Sequence, residues 1–375
     1  MYSIEQYSLQ TSSSGSQSSA DTVKGAHANL RRAFALAVPL TVRAGTDVRQ
    51  QDRDIRTAGG SWTFVGPDHA ANTADDLASR YDILDTVYST ANAPFHQRPT
   101  PRSSPYKLWQ LYQAHPDYFT FDQAGQITST ATGSRKITET VSAGYVRADA
   151  RVLNNRLLLV GGARYERTAD DGHGLRNDLR ATYQQDASGN LIRNAAGNPI
   201  KVATDSLSLA RLQYRDRGSH AERSYGNLYP SFNATYSVTA NFQVRGAFAR
   251  TVGRPNLNEI IPSATITDPT AVTDNRTITV LNTGLKPWSA DNFDLSFEFY
   301  FEHGGRTTLG GFRKNISNFF DATRTPATLE ALASFGLADD YLGYDIMTKT
   351  NVGGAKVSDI DFDFQQPLTF NFLPK

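Results

Sequence analysis

The sequence contains no cysteine among its 375 residues. This absence excludes a disulfide framework and any metal site built from thiolates. No apolar run approaches the roughly 18–20 residues of a membrane-spanning helix, which excludes a helical membrane protein. The formal net charge is only +1, so the overall charge gives no support for nucleic-acid binding, which needs a basic patch or stripe.

Catalytic and metal-binding motifs are also missing. The chain has no Walker loop and no GxGxxG fingerprint, and its seven histidines do not follow metalloprotease spacing. Asp359, Asp361 and Asp363 resemble a calcium loop by number only, because they alternate with Ile360 and Phe362 and lack the glycine and distal glutamate of an EF-hand. We therefore predict an acidic row on a strand, no metal, no cofactor and no enzymatic activity.

The N-terminal region has little that predicts structure. Met1 to Gln6 carries neither the basic nor the apolar region of a secretory signal peptide. Residues 1–27 are rich in serine and form a polar segment of uncertain structure, whereas one domain is predicted over 28–375. We expect the true N-terminus of the protein to lie upstream of Met1.

What the sequence does contain is apolar and polar residues alternating with a period of two. Between Tyr145 and Val152, Val146 and Ala148 lie on one face, and Arg147 and Asp149 lie on the other. About nine strands are predicted, the clearest near 40–49, 145–152, 157–166, 228–238, 242–249, 293–301, 306–318 and 359–364. The segment 306–318 is less regular and predicts a bulge, because Leu309 and Phe312 fall on different faces.

The connections alternate between short and long. Short turns are predicted at 38–39, 154–155, 239–241 and 302–305, and long polar loops at 57–135, 184–221, 255–289 and 319–353. In an antiparallel sheet all short turns then lie on one side, as in outer-membrane barrels with short periplasmic turns and long extracellular loops. We predict an all-β fold, an incomplete antiparallel transmembrane β-barrel with short helices in its loops. A soluble sandwich is the alternative; charged polar faces and the aromatics Tyr165, Tyr236 and Phe301 at strand ends argue against it.

Several sequence segments also match a known family. They are Gly162–Thr168, which contains Arg164 and Glu166; Leu228–Asn233; Ala249–Asn256, which contains Arg250, Arg254 and Pro255; Asn282–Ser289, which contains Lys286 and Pro287; and Gly310–Ile316. In their order and spacing through about 137–366, these segments resemble the barrel of TonB-dependent outer-membrane receptors.

The resemblance implies a receptor in the Gram-negative outer membrane that binds a scarce small ligand and imports it. The partners implied are outer-membrane lipid and the TonB complex, which acts through a plug domain and TonB box. The chain has no room for a plug, and nine strands fall short of the ~22 of plugged transporters, so we expect an internal fragment. A siderophore, cobalamin or an oligosaccharide could each be the ligand. A passive porin, an adhesive β-protein and a non-functional gene fragment stay open as alternatives.

The largest loop, 57–135, is rich in aromatic residues. Trp62, Trp109 and Tyr112 are candidate ligand-binding residues, and the alternative is that they pack a small loop subdomain. Ser104 and Pro105 predict the start of a helix in this loop. A second loop helix is predicted over 329–337, and a decorative hairpin over 183–202.

Arg250 and Arg254 lie where a predicted strand meets an extracellular loop. In one interpretation, both arginines contact an anionic ligand. In the other interpretation they order the loop by pairing with acids such as Glu259 or Asp291, since the guanidinium fork commonly serves structural pairing.

Overall fold

The computed structural model describes residues 3–91, 98–301 and 304–367. Phe95, one of the loop aromatics, and Glu302 and His303 of the third short turn lie outside these residues. Among the described residues, the largest element is a sheet of eleven strands. Its long strands are β2 (Gln17–Phe34), β3 (Leu40–Thr57), β6 (Arg135–Val152), β7 (Leu157–Asn177), β8 (Tyr214–Ser237), β9 (Phe242–Gly253), β12 (Trp288–Tyr300), β13 (Arg306–Pro326) and β14 (Asp345–Gln365).

The strand order of this sheet is β10-β11-β14-β13-β12-β9-β8-β7-β6-β3-β2. The short strands β10 (Ser263–Ile266) and β11 (Thr277–Leu281) extend it at one end, and β11 pairs with β14 in parallel. The pairs β6/β7, β8/β9, β9/β12, β12/β13 and β13/β14 are antiparallel. The predicted all-β class is thereby confirmed, and nine long strands agree with the predicted number of about nine. The strand β2 was not located in advance, because much of it lies in the serine-rich residues 1–27.

The remaining elements are short. Strands β1 (Thr11–Ser14), β4 (Gly60–Phe64) and β5 (Phe119–Phe121) form a second, antiparallel sheet in the order β1-β4-β5. The α-helices are α1 (Pro105–Ala114), α2 (Gln123–Gly133), α3 (Ser206–Gln213), α4 (Leu257–Ile260) and α5 (Leu329–Ser334). Single 3-10 turns cover Ile4–Gln6, Ala74–Asp76, Ala78–Arg80, Pro116–Tyr118, Leu179–Thr182 and Asp339–Tyr341. None of the helices within the described ranges has the length and apolar character needed to cross a membrane.

The short turns are formed by residues suited to them. Leu153, Asn154 and Asn155 all have positive φ between β6 and β7, and asparagine tolerates that conformation well. Residues 35–39 connect β2 to β3, and 238–241 connect β8 to β9, as predicted. The long loops are shorter in the structure than predicted. The reason is that β7, β8, β13 and β14 each continue beyond the residues that show clean alternation.

Two further expectations need correction. The register of β13 shifts between Ile316 and Phe319, so the irregularity lies beyond Leu309 and Phe312, which simply face opposite sides. Tyr165 lies in the middle of β7, not at its end, because polar residues of the extension keep pairing with β6 up to His173. The acidic row Asp359–Asp363 does lie within β14.

Two compact units divide the chain. The loop unit comprises residues 1–19, 55–134 and 178–216, and the sheet unit comprises 20–54, 135–177 and 217–375. The loop unit buries Phe64, which is 1% exposed and has Tyr81, Tyr118 and Phe119 edge-on to its ring.

The sheet unit has its core beside the long connections. Ile137, Ile260, Ile261 and Leu285 form a buried cluster, against which Phe320 packs. Along the strands nearer the short turns, one face is instead lined by exposed apolar side chains. They include Leu228, Phe232, Phe293, Leu295, Phe297, Phe299, Ile360 and Phe362. A soluble protein rarely exposes so large a continuous apolar patch.

Candidate ligand-binding surface

The three aromatic residues singled out in the sequence come together within the loop unit. Tyr112 stacks on Trp109, with ring centroids 5.5 Å apart, and meets Trp62 edge-on at 6.0 Å. Phe119 also meets Tyr112 edge-on, at 5.4 Å. Such pairs contribute about 0.5–1.5 kcal/mol beyond the burial of their area, so Tyr112 holds the cluster together.

Local sequence explains how these rings are positioned. The Ser104 hydroxyl accepts a hydrogen bond from the backbone N–H of Lys107, and Pro105 opens α1, as predicted. Trp109 and Tyr112 follow three residues apart on that helix, so their rings lie side by side. Trp62 projects from β4, which pairs with β5 on one side and with β1 on the other.

The cluster borders an open cavity of about 490 Å³. This aromatic cavity is lined by Thr11, Ser12, Ser13, Ser14, Trp62, Pro105, Leu108, Trp109, Tyr112 and Phe119. Trp109 is 54% exposed, whereas Trp62 and Tyr112 are partly buried. The rings of Trp62 and Tyr112 therefore support the wall of the aromatic cavity, and the ring of Trp109 presents its surface to solvent.

The hydroxyl-bearing side of the aromatic cavity was not predicted. The serine-rich N-terminal segment forms β1, in which Ser12 lies opposite Trp62 in the antiparallel register. A run of serines is compatible with many structures, so only this pairing shows that it lies beside the aromatic rings. The wall can therefore offer both ring faces and hydroxyl groups to a ligand.

The motif residues of the sheet unit form an ionic cluster around Glu166. Its carboxylate accepts hydrogen bonds from Arg164 Nε at 2.6 Å and from Arg254 Nη2 at 2.5 Å. Arg164 also reaches Asp47 of β3 at 3.1 Å, and Arg254 Nε lies 3.4 Å from the Thr168 hydroxyl. The Glu166 side chain is 14% exposed, so two arginines share one largely buried carboxylate.

Arg250 and Arg254 have different partners. Arg250 donates two hydrogen bonds to Asp291, at 2.7 and 2.9 Å, and Asp291 is its direct partner in the β9/β12 register. Arg254 also pairs with an acid, but with Glu166 rather than with either of the two acids given as examples, Asp291 and Glu259. Glu259 instead accepts a hydrogen bond from Lys349 at 2.6 Å.

The other motif residues lie in the connections after β9 and before β12. Pro255 and Pro287 are buried, and the Lys286 side chain is exposed. The Asn351 side chain accepts from the Lys286 N–H and donates to its carbonyl, both at 2.9 Å. These residues fix backbone positions in the structure.

Asp170 is a buried acid in the part of β7 that continues past the roughly 9–11 residues needed to span a membrane. Its side chain is on the same face as Glu166, is 7% exposed, and its Oδ1 has no hydrogen-bond partner among the described residues. Burial, with the nearby charge of Glu139, raises its pKa to about 6.

The family model described as TonB dependent receptor-like, beta-barrel matches residues 3–373. Among curated proteins, the comparison found no match.

Several solved structures are similar in fold. The ferric-catecholate import receptor Fiu of E. coli K12 is 13% identical, with 94% of this chain and 36% of that chain covered and a TM-score of 0.46. The hemophore receptor HasR of Serratia marcescens, solved with its hemophore HasA and heme, is 10% identical, with 92% and 46% covered and a TM-score of 0.42. A ferric enterobactin receptor (PfeA) mutant of Pseudomonas aeruginosa is 13% identical, with 98% and 51% covered and a TM-score of 0.35. The chain thus spans between about a third and a half of these receptors.

Proposed function

This chain belongs to the family of TonB-dependent receptor-like β-barrels, and from that premise we propose that it serves ligand uptake across the outer membrane. Its loop unit would bind a scarce small molecule outside the cell, and its sheet unit would contact outer-membrane lipid. Energy would come from the TonB complex, acting through a plug domain. This family consists of transport receptors, and no enzymatic role is proposed.

The aromatic cavity is the observation that carries the proposal. Ligand sites are concave and are lined mainly by aromatic and apolar groups with a few polar ones. A cavity of about 490 Å³ falls within the roughly 300–1,000 Å³ of such sites. Half-exposed Trp109 provides a surface for stacking, and the hydroxyls of β1 supply hydrogen-bonding groups.

These features suit an oxygen-rich ligand that has flat or ring-shaped parts. The catechol rings of a ferric siderophore and the sugar rings of an oligosaccharide both meet this description, and cobalamin is the third candidate class. The fold alone does not select among the three. Binding, rather than fold, must therefore identify the ligand.

The test is a tryptophan fluorescence titration of the detergent-solubilised protein with a ferric tris-catecholate complex, cyanocobalamin and a maltooligosaccharide. One of these should bind saturably, and Trp109→Ala should weaken that binding about tenfold, since a lost aromatic contact of up to ~1.5 kcal/mol corresponds to that factor. Tyr106→Ala is the matched control, because Tyr106 is on the same helix, is 68% exposed and does not line the aromatic cavity.

Equal weakening by the two variants, or none by Trp109→Ala, would show that the aromatic cluster only packs the loop unit. Binding must then occur elsewhere. If the chain admitted all three solutes without saturation in a liposome-swelling assay, a passive porin would replace the proposed receptor.

A further inference from the structure

Two histidines and an aspartate meet on neighbouring strands of the sheet unit. Asp171 and His173 are two residues apart on β7 and so share one face, and His220 is on β8, the adjacent strand. Nε2 of His220 lies 2.9 Å from Asp171 Oδ1, and Nε2 of His173 lies 3.3 Å from the same oxygen. The two imidazole rings stack with centroids 4.5 Å apart and an interplanar angle of 13°.

We propose that Asp171, His173 and His220 bind a divalent transition-metal ion of the Zn²⁺ class. One potential ligand atom from each residue lies within 4.8 Å of those of the other two. In a tetrahedral Zn²⁺ site with ligand bonds of about 2.0–2.1 Å, neighbouring ligand atoms are about 3.4 Å apart. The two separations from Asp171 Oδ1, 2.9 and 3.3 Å, are close to that value, and the two histidine nitrogens lie within 4.8 Å of each other, so side-chain rotations can bring all three atoms into coordination.

The donor set selects the kind of metal. Imidazole nitrogen suits Zn²⁺, Cu²⁺ and Ni²⁺, whereas Mg²⁺ and Ca²⁺ prefer sites made only of oxygen atoms. A fourth donor is near, because Glu222 Oε1 lies 3.7 Å from His220 Nε2. Asp171 is about half exposed and Glu222 is 73% exposed, so either Glu222 or a water molecule can complete the coordination.

The surrounding charges favour a cation. Two carboxylates, Asp171 and Glu222, face the site. Lys136 lies opposite His173 in the β6/β7 register, but its ammonium group is 3.5 Å from Asp52, which offsets its charge. Asp170 points to the opposite face of β7 and takes no part.

The site lies in the extensions of β7 and β8. Asp171 is six residues beyond Tyr165 on the same face, or roughly 20 Å along a strand that rises ~3.3 Å per residue. A metal ion here would join two strands by ligands that are 49 residues apart in sequence. The bound ion would therefore stabilise the extensions of β7 and β8, and this role is separate from the proposed uptake function.

Isothermal titration of the whole detergent-solubilised chain with ZnCl₂ tests the proposal. We expect one Zn²⁺ per chain and a rise in melting temperature. His173→Ala and His220→Ala should each weaken binding at least about tenfold, since disturbing even the hydrogen-bond partner of a metal ligand costs roughly 10–100-fold. Co²⁺ should give the strong visible absorption of a four-coordinate complex, and this band should be lost in both variants.

The matched control is His27→Ala, since His27 is an exposed histidine on β2 of the same unit. It should leave the affinity and the Co²⁺ spectrum unchanged. The melting temperatures of all variants without metal show whether they fold. Absence of saturable Zn²⁺ binding by the folded wild-type chain, or binding that survives a folded His173→Ala/His220→Ala double variant, would overturn the proposal and leave a hydrogen-bonded His–Asp pair.

Discussion

The loop unit and the sheet unit use the same kinds of apolar side chain in opposite ways. Phe64 of the loop unit is 1% exposed and is surrounded by other rings, whereas Phe297 and Ile360 of the sheet unit are 40% and 76% exposed. A water-exposed subdomain gains stability by burying rings such as Phe64, whereas a strand in contact with lipid can present apolar side chains outward. With the proposed outer-membrane location, the surrounding solvent, and not hydrophobicity alone, decides where such residues lie.

The largest effect is expected from a charge placed on the apolar face of the sheet unit. Leu295→Arg should destabilise the folded protein in membranes by about 2–4 kcal/mol, the cost of a cation near the bilayer midplane. Thr308→Arg is the control, because Thr308 lies opposite Glu298 on the polar face. Unfolding by urea in lipid vesicles, followed by heat-modifiable gel migration, measures both. Equal small effects of the two substitutions would mean that the apolar face does not contact lipid.

The second prediction tests close packing on β9. Gly253 lies opposite Trp288 in the β9/β12 register, and a Cβ at Gly253 would overlap the indole ring. Gly253→Ala should therefore cost about 1–3 kcal/mol, as overpacking generally does. In contrast, a Cβ at Gly246 on the same strand meets nothing within 4 Å, and Gly246→Ala should cost no stability. The two variants are compared by the same urea titration, and a loss of equal size in both would contradict the packing argument.

The third prediction compares a shared carboxylate with an exposed one. Glu166→Gln leaves Arg164 and Arg254 without their common anion, and we expect a loss of about 1–3 kcal/mol, as for a hydrogen bond to a charged group. Asp291→Asn breaks the more exposed pair with Arg250 and should cost less than about 1 kcal/mol. Urea midpoints at low and high salt measure both, and salt should reduce the Asp291 effect more. The reverse order of the two losses would show that Glu166 does not hold the cluster together.

The smallest effect is expected at the start of α1 in the loop unit. Ser104→Ala removes the side-chain cap and should destabilise the helix by about 1 kcal/mol. Because this helix carries Trp109 and Tyr112, its backbone amides should exchange faster with deuterium, while those of β12 should not change. Gln113→Ala, at an exposed position of the same helix, should not accelerate exchange. Faster exchange throughout the sheet unit would mean that the effect is not local to the helix.

The sequence predicted well what depends on local pattern. Alternation at Val146 to Val152 and at Phe293 to Phe301 located strands, because a strand with one apolar and one polar face imposes a period of two. Asn154-Asn155 located a turn, and Ser104-Pro105 located a helix start, because each depends on the backbone preferences of a few neighbouring residues.

Prediction was poorer where the alternation of apolar and polar residues was weak, or where the contact joined residues far apart in sequence. The outer half of β7 is largely polar, and in β13 the register shifts at Ile316–Phe320 interrupt the period of two, so neither segment alternates regularly and both were assigned to loops. Glu166 was recognised only as part of a motif, and its pairing with Arg254, 88 residues away, could not be read from spacing. The same holds for Asp171 and His220, whose types gave no signal until two strands brought them together.

The sequence by itself determined the all-β class, most of the long strands, the short turns and the position of α1, because each depends on period, turn chemistry or capping over a few residues. Only the tertiary structure decided which distant groups share a site. It brought Ser12 beside Trp62, Arg254 to Glu166 and His220 to Asp171. Strand order and register set these pairings, and both depend on how whole strands, far apart in sequence, pair with one another and not on any single residue.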